Sequence, residues 1–182
     1  MSYGHLSEKQ AAIVRRHVTG KEVHDLGAGF LELAHELLKL GATKIIAIEK
    51  EFLPVCEDAR IERLKMYFAD YDALGSGGPI DIAFISWPAN RHDQGLLDLV
   101  SRAETVIYLG KNSDGSSCGH PRLFYALLHR ELLDYLPERK NTLIVYGKKR
   151  NEPRPPRGEE RAGRIQLDGG AILSYETVEE KV

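Results

Sequence analysis

Apolar and polar positions along the chain keep switching between a helical period and a strand period, and the switches mark out its elements. Residues 7–18 predict a helix: Ser7 and Gln10 have the spacing of a capping box, and Ala11, Ile13, Val14, His17 and Val18 follow. "TGKEVHDLG" is a short apolar strand that stops at a glycine turn. Leu31, Ala34, Leu37 and Leu38 then recur at helical spacing, with Gly41 where a helix C-cap belongs. "TKIIAIEKE" predicts a second strand, residues 52–64 a helix with Pro54 in its first turn, and "KMYFADYD" a third, weaker strand. "PIDIAFISWP" is the strongest strand signal, and a helix over 93–100 and a fifth strand, "ETVIYLG", come after it. Residues 122–136 predict the most amphipathic helix, with Leu123, Phe124, Leu127, Leu128, Leu132, Tyr135 and Leu136 on one face. "NTLIVYG" and "GAILSYETV" are the sixth and seventh strands.

Near-continuous apolar strands alternating with helices predict an α/β fold: a doubly wound, mostly parallel seven-stranded sheet with helices on both faces. No helix separates the last two strands, so they are expected to pair antiparallel and form an antiparallel C-terminal edge. No repeat or linker divides the pattern, and residues 1–182 are expected to form a single domain.

Composition narrows this picture only a little. The 182 residues are 42% hydrophobic and 29% charged, which is enough chain for a sizeable core. A net charge of −2 excludes a globally basic nucleic-acid binder. "MSYGHLSEKQ" carries no hydrophobic signal core and no apolar run approaches membrane-spanning length, so a cytoplasmic protein without a membrane partner is expected. Cys56 and Cys118 are too few for a disulfide scaffold or a four-thiolate zinc site, and no metal is expected. The segment 148–164 gathers Lys148, Lys149, Arg150, Arg154, Arg157, Arg161 and Arg164, a candidate contact for nucleic-acid phosphates. Glu152, Glu159 and Glu160 interrupt it and no aromatic residue interleaves for base stacking, so a solvated loop is the favoured account.

In a doubly wound sheet, ligands sit beyond the carboxyl ends of the strands, where the strand order reverses. The first strand ends in Asp25, Gly27 and Gly29, the second in Glu49, the third in Asp70, and the fourth in Ser86, Trp87 and Pro88. Glycines let backbone approach a ligand closely, an acid closing the second strand accepts hydrogen bonds from a ribose diol, and Asp70 is placed for an exocyclic adenine amine. Together these residues describe an adenosine site. A dinucleotide turn would carry a third glycine and leave the helix N-terminus free for a pyrophosphate. Here Phe30, Leu31 and Glu32 fill that turn, and an acid on the first helical turn repels a diphosphate. An adenosyl ligand with a sulfonium and no phosphate suits the place better, and a nicotinamide-dependent oxidoreductase is disfavoured.

The stretches "VHDLGAGFLELAHELLKLGA", "IIAIEKE", "FADYD" and "IDIAFISWP" resemble the successive motifs of class I S-adenosylmethionine-dependent methyltransferases, over residues 23–147. The resemblance implies a methyltransferase with S-adenosylmethionine as cofactor and S-adenosylhomocysteine as product. It assigns the methionine end to the turn of Asp25, Gly27, Ala28 and Gly29, the ribose to Glu49 with Lys50 beside it, and the adenine border to Asp70 and Tyr71. Ser86, Trp87 and Pro88 fall on the motif that orients the acceptor, with Ser86 also touching the cofactor. Leu31 stands for the usual small third residue of the turn, and Trp87 for the motif's middle proline. The acceptor is left open between nitrogen and oxygen nucleophiles, on a small molecule, a protein or RNA. A non-catalytic binding or partner module on the same fold is the alternative, and a monomer or homodimer is expected. Cys118 and His120, two residues apart, suggest a nucleophile and base only weakly; their loop is a better candidate lid, His24 a core histidine, and Tyr3 and His5 candidate cofactor contacts.

Overall fold

The computed structural model describes residues 5–51, 54–73, 78–89, 93–111, 118–138, 141–149, 163–166 and 172–175. The elements run α1 (Glu8–Val18), β1 (Glu22–Leu26), α2 (Glu32–Lys39), β2 (Lys44–Glu49), β3 (Ile61–Lys65), α3 (Phe68–Ala73) and β4 (Ile80–Ser86). They continue with α4 (Gln94–Arg102), β5 (Ala103–Gly110), α5 (Pro121–Leu128), β6 (Glu131–Pro137), β7 (Thr142–Gly147), β8 (Gly163–Gln166) and β9 (Ile172–Tyr175). Seven strands form one sheet in the order β3-β2-β1-β4-β5-β7-β6, with β7 alone running opposite to the other six. The order reverses between β1 and β4, and that is where a crevice opens.

The sheet's side chains alternate between two cores. Val23, Ile45, Ala47, Ile82, Phe84, Ile107 and Leu109 pack under α1 and α2. Leu26, Ile46, Ile48, Ala83, Ile85, Val106 and Tyr108 pack on the opposite face, under Leu96 and Leu99 of α4 and Leu123 and Phe124 of α5. Strands buried on both faces need the continuous apolar runs that the sequence displays. The Ser7 capping box forms as the sequence predicts, and it also fastens α1 to the β6–β7 hairpin. Ser7 Oγ donates to Glu138 Oε1 at 2.7 Å, and Gln10 Nε2 donates to the Asn141 carbonyl at 3.4 Å.

Four expectations are corrected. No helix forms over the described part of 52–64: Asp58 and Arg60 close a side-chain turn (Arg60 N to Asp58 Oδ1, 3.0 Å), and Ile61 then starts β3. The open edge of β2 offers this segment a full ladder, with the Ile45 amide donating to the Arg60 carbonyl at 2.8 Å. "KMYFADYD" is therefore not a strand; its Phe68–Ala73 portion is α3. The long amphipathic helix stops at Leu128. There the Arg130 guanidinium donates to the carbonyls of Val100, Ala103 and Glu104, at 3.1, 2.5 and 2.9 Å, and pins a turn. The residues after the turn become β6, which pairs with the wholly buried β7 and leaves Leu132 and Leu133 exposed. Lastly, the seventh strand of the main sheet is β6 and not the final apolar segment, since β9 pairs with β8 in a separate two-stranded sheet. Of the basic segment, residues 150–162 lie outside the described residues. Among the described residues no helix is long and apolar enough to cross a membrane.

Candidate functional site

The glycine turn leaves β1 through two residues in left-handed conformations, Gly27 (φ 87°) and Gly29 (φ 50°). The Gly27 and Ala28 amides both donate to the Ile48 carbonyl, at 2.9 and 3.2 Å, so the turn is sewn to the end of β2. A Cβ built on either glycine meets nothing within 4 Å, so backbone conformation demands glycine here and the space above the turn is open. Leu31, standing for the third small residue, is itself left-handed (φ 65°) at the N-cap of α2. Its side chain points into the core at 1% exposure, and that burial offsets the backbone strain while keeping the turn clear.

Glu49 closes β2 with both carboxylate oxygens engaged. Oε2 accepts from the Gly29 amide at 3.4 Å and Oε1 from the Glu51 amide at 3.1 Å, which holds the acid against the turn. Beneath it lies Asp25, fully buried, with neither carboxylate oxygen hydrogen-bonded. Burial, reinforced by the negative charge of Glu49, pushes the Asp25 carboxyl up to about 7. The neighbouring His24 is held down at about 4, chiefly by burial and then by the positive charges of Arg102 and Lys44. Its Nε2 shares a 2.9 Å hydrogen bond with Tyr71 Oη while Nδ1 has no partner, so this core histidine is only half satisfied.

At the end of β4, Trp87 is the second non-glycine residue of positive φ (46°) among the described residues, and its amide donates to the Leu109 carbonyl at 2.8 Å. Pro88 follows and packs near Gly119, where an added Cβ would come within 3.2 Å of its ring. Both left-handed non-glycine residues thus stand in segments that leave carboxyl ends of strands, Leu31 at the α2 N-cap after β1 and Trp87 directly after β4.

A cleft of about 330 Å³ opens over this edge, within the range of small-molecule sites. It brings together Gly27, Glu49, Lys50, Ser86, Trp87 and Pro88 from the sequence-predicted set. Ala28 and Gly29 belong to the turn at its border, and Asp25 lies beneath the turn without reaching the surface. Asp70 and Tyr71 are not placed as expected. The third strand ends at Lys65, so both fall on α3, with Asp70 exposed and Tyr71 buried against His24. Met66, Tyr67 and Phe68, which immediately precede them, line the cleft, and Asp70 and Tyr71 do not. The aromatic pair in "MYF" was the available signal, hidden because the segment reads as strand. Asp93 also lines the cleft, and the sequence marked it only as the start of the helix predicted over 93–100.

Cys118 and His120 form no dyad. His120 Nδ1 accepts from the Arg122 amide at 3.2 Å as the N-cap of α5, while Cys118 Sγ accepts from the Lys111 amide at 3.5 Å. His5 is exposed, and Tyr3 and residues 112–117 of the candidate lid lie outside the described residues.

No family model matches the chain, and no curated protein sequence matches it. Solved structures do. The ribosomal protein L11 methylase from Lactobacillus delbrueckii subsp. bulgaricus is 18% identical, with 82% of each chain covered and a TM-score of 0.53. TrmK of M. capricolum, in complex with its cofactor product S-adenosyl-homocysteine, is 13% identical, with 84% of this chain and 73% of that one covered and a TM-score of 0.51. At such identities the likeness is one of fold: a seven-stranded mixed sheet with helices, shared with these methylase structures.

Proposed function

We propose that the cleft holds S-adenosylmethionine and that the protein transfers its methyl group to a nucleophile arriving over Ser86, Trp87 and Pro88. The observation that carries this reading is the turn between β1 and α2: open above two glycines, and backed by two carboxyl groups, Asp25 and Glu49. The residues present fit such a ligand. Asp25, an orphaned buried carboxylate, complements a cationic ammonium or sulfonium group and opposes a pyrophosphate. Glu49 has lone pairs left for a ribose diol after accepting its two backbone bonds. Met66, Tyr67 and Phe68 offer an apolar wall to an adenine ring, in place of Asp70 and Tyr71.

When bound, the cofactor supplies a methyl carbon already activated by its sulfonium. The chain's own task is alignment, which supplies much of the acceleration for a displacement of this kind. Ser86 and the backbone at the end of β4 orient the incoming atom, and Trp87 closes the cleft beside it. A competing reading, a cofactor-binding module without transfer, is favoured by one observation: a bulky, left-handed Trp87 occupies the acceptor motif.

Titration calorimetry with S-adenosylhomocysteine tests the reading directly. We expect saturable binding that Glu49→Ala weakens by about 1–3 kcal/mol through lost ribose hydrogen bonds. Absence of binding to folded protein at millimolar ligand removes the proposal. Methyl transfer to any member of a panel of RNA, protein and small molecules eliminates the binding-only alternative.

A further inference from the structure

Asp93 stands apart from the other acids of the cleft. Glu49 accepts from two backbone amides at the glycine turn and keeps its remaining lone pairs for the ribose, and Glu51 is paired with Lys50 at 3.2 Å. Both sit at the β2 end. Asp93, the N-cap of the helix that follows β4, lines the cleft with Trp87 and Pro88 and also borders a small adjoining cavity with Ala89, His120 and Arg122. β2 and β4 flank β1, so the two ends of the cleft are separated by about 10 Å, two strand spacings. That is the order of the reach from a ribose over Glu49 to the reacting centre of an adenosyl ligand. Asp93 Oδ1 is fixed by the Leu96 amide at 3.1 Å, and Oδ2 has no hydrogen-bond partner among the described residues. One oxygen anchors the carboxylate, leaving the other available to the cleft.

We propose that Asp93 orients the methyl acceptor and that the acceptor is a nitrogen bearing an N–H, which donates to Asp93 Oδ2. This rests on the reading of the cleft given above. A hydroxyl acceptor would need a strong base or a metal to raise its nucleophilicity. Among the described residues the cleft itself is lined by no histidine, its lysine is ion-paired, and no cluster of metal-ligating side chains exists. His120 borders only the adjoining cavity, with its Nδ1 accepting from the Arg122 amide. A nitrogen with a lone pair needs only to be aimed. Its lone pair forms the new C–N bond while the S–CH₃ bond breaks, and that bond's electrons remain on the sulfur as a neutral thioether. The proton then shed by the methylated nitrogen passes to the Asp93 carboxylate and on to water. Trp87 lines the same end of the cleft and suits the cationic charge that builds on the nitrogen during transfer.

The test needs no knowledge of the acceptor. S-Adenosylhomocysteine has nothing at the methyl position, whereas sinefungin carries an ammonium there and so presents N–H donors where methyl and nitrogen meet. Calorimetry of both ligands is run on the wild type and on Asp93→Asn, which keeps an equally good N-cap through Oδ1 while removing the charge and replacing the Oδ2 acceptor with an NH2 donor. We expect Asp93→Asn to weaken sinefungin about tenfold or more and to leave S-adenosylhomocysteine within about twofold, at an unchanged melting temperature. Equal losses for both ligands, or none for sinefungin, overturn the role of Asp93 while leaving the cofactor cleft standing. A folded wild type that binds neither ligand overturns both.

Discussion

Asp25 is the residue at which structure and ligand chemistry meet most sharply. A carboxyl buried without hydrogen bonds resists ionisation, and its rise to about 7 makes proton binding part of folding and, on the proposed reading, of ligand binding. Because the folded-state value lies above the unfolded one, the stability Asp25 contributes is fully present below about pH 4 and is lost as pH rises through about 7. Asp25→Asn should therefore gain melting temperature relative to the wild type between pH 5 and 8, by an amount worth a few kcal/mol at most. Parallel melts across that range check it; a difference that does not change with pH removes the assignment. A cationic ligand favours the ionised form, so S-adenosylmethionine affinity should rise through the same pH window in the wild type and stay flat in Asp25→Asn.

Among the elements, α3 is short and carries part of the cleft's aromatic wall, and it is held from two sides. Tyr71 reaches down to His24 on β1, and Gly95 of α4 presses against the backbone of Phe68 and Ala69. A Cβ on Gly95 would run into that backbone, which cannot swing aside as a flexible side chain does. Gly95→Ala should push α3 outward, destabilise the protein by about 1–3 kcal/mol and weaken adenosyl-ligand binding through Phe68. Denaturant melts and calorimetry on one preparation separate the two effects; an unchanged affinity would show that α3 does not set the wall. This element was also the least legible. "MYFADYD" has the apolar content of a strand, and only the pairing of residues 61–65 with the edge of β2 leaves it free to turn into a helix.

For the whole molecule, the site depends on a sheet whose central strands are buried on both faces. Phe84 of β4 is fully buried against α1 and α2, two residues before the Ser86 that lines the cleft. Phe84→Ala should cost about 3–5 kcal/mol, a large share of a marginal total of about 5–15 kcal/mol. Guanidinium unfolding should show this as a lower midpoint at an unchanged slope. A drop under 1 kcal/mol would mean that the core collapses around the gap. The α1 cap lies across the same face, with its Ser7 and Gln10 tied to the β6–β7 hairpin, so losses there are expected to spread through the fold.

By itself the sequence determined whatever depends on local period and on residue type at strand ends. Continuous apolar runs required a parallel sheet covered on both sides, and Gly27, Gly29, Glu49 and Ser86 marked the edge over which the cleft opens, because backbone conformation and charge are properties of single residues. Only the tertiary structure decided which runs became strands when either period was available. Residues 61–65 and 131–137 are amphipathic enough to be helix, and they became edge strands because β2 and β7 would otherwise leave a row of backbone groups unpaired. The same pairing set the rest of the wall: by ending the third strand at Lys65, it exchanged Asp70 and Tyr71 for Met66, Tyr67 and Phe68. A ladder bond joins partners distant in the chain, and no local pattern records which partner will be free.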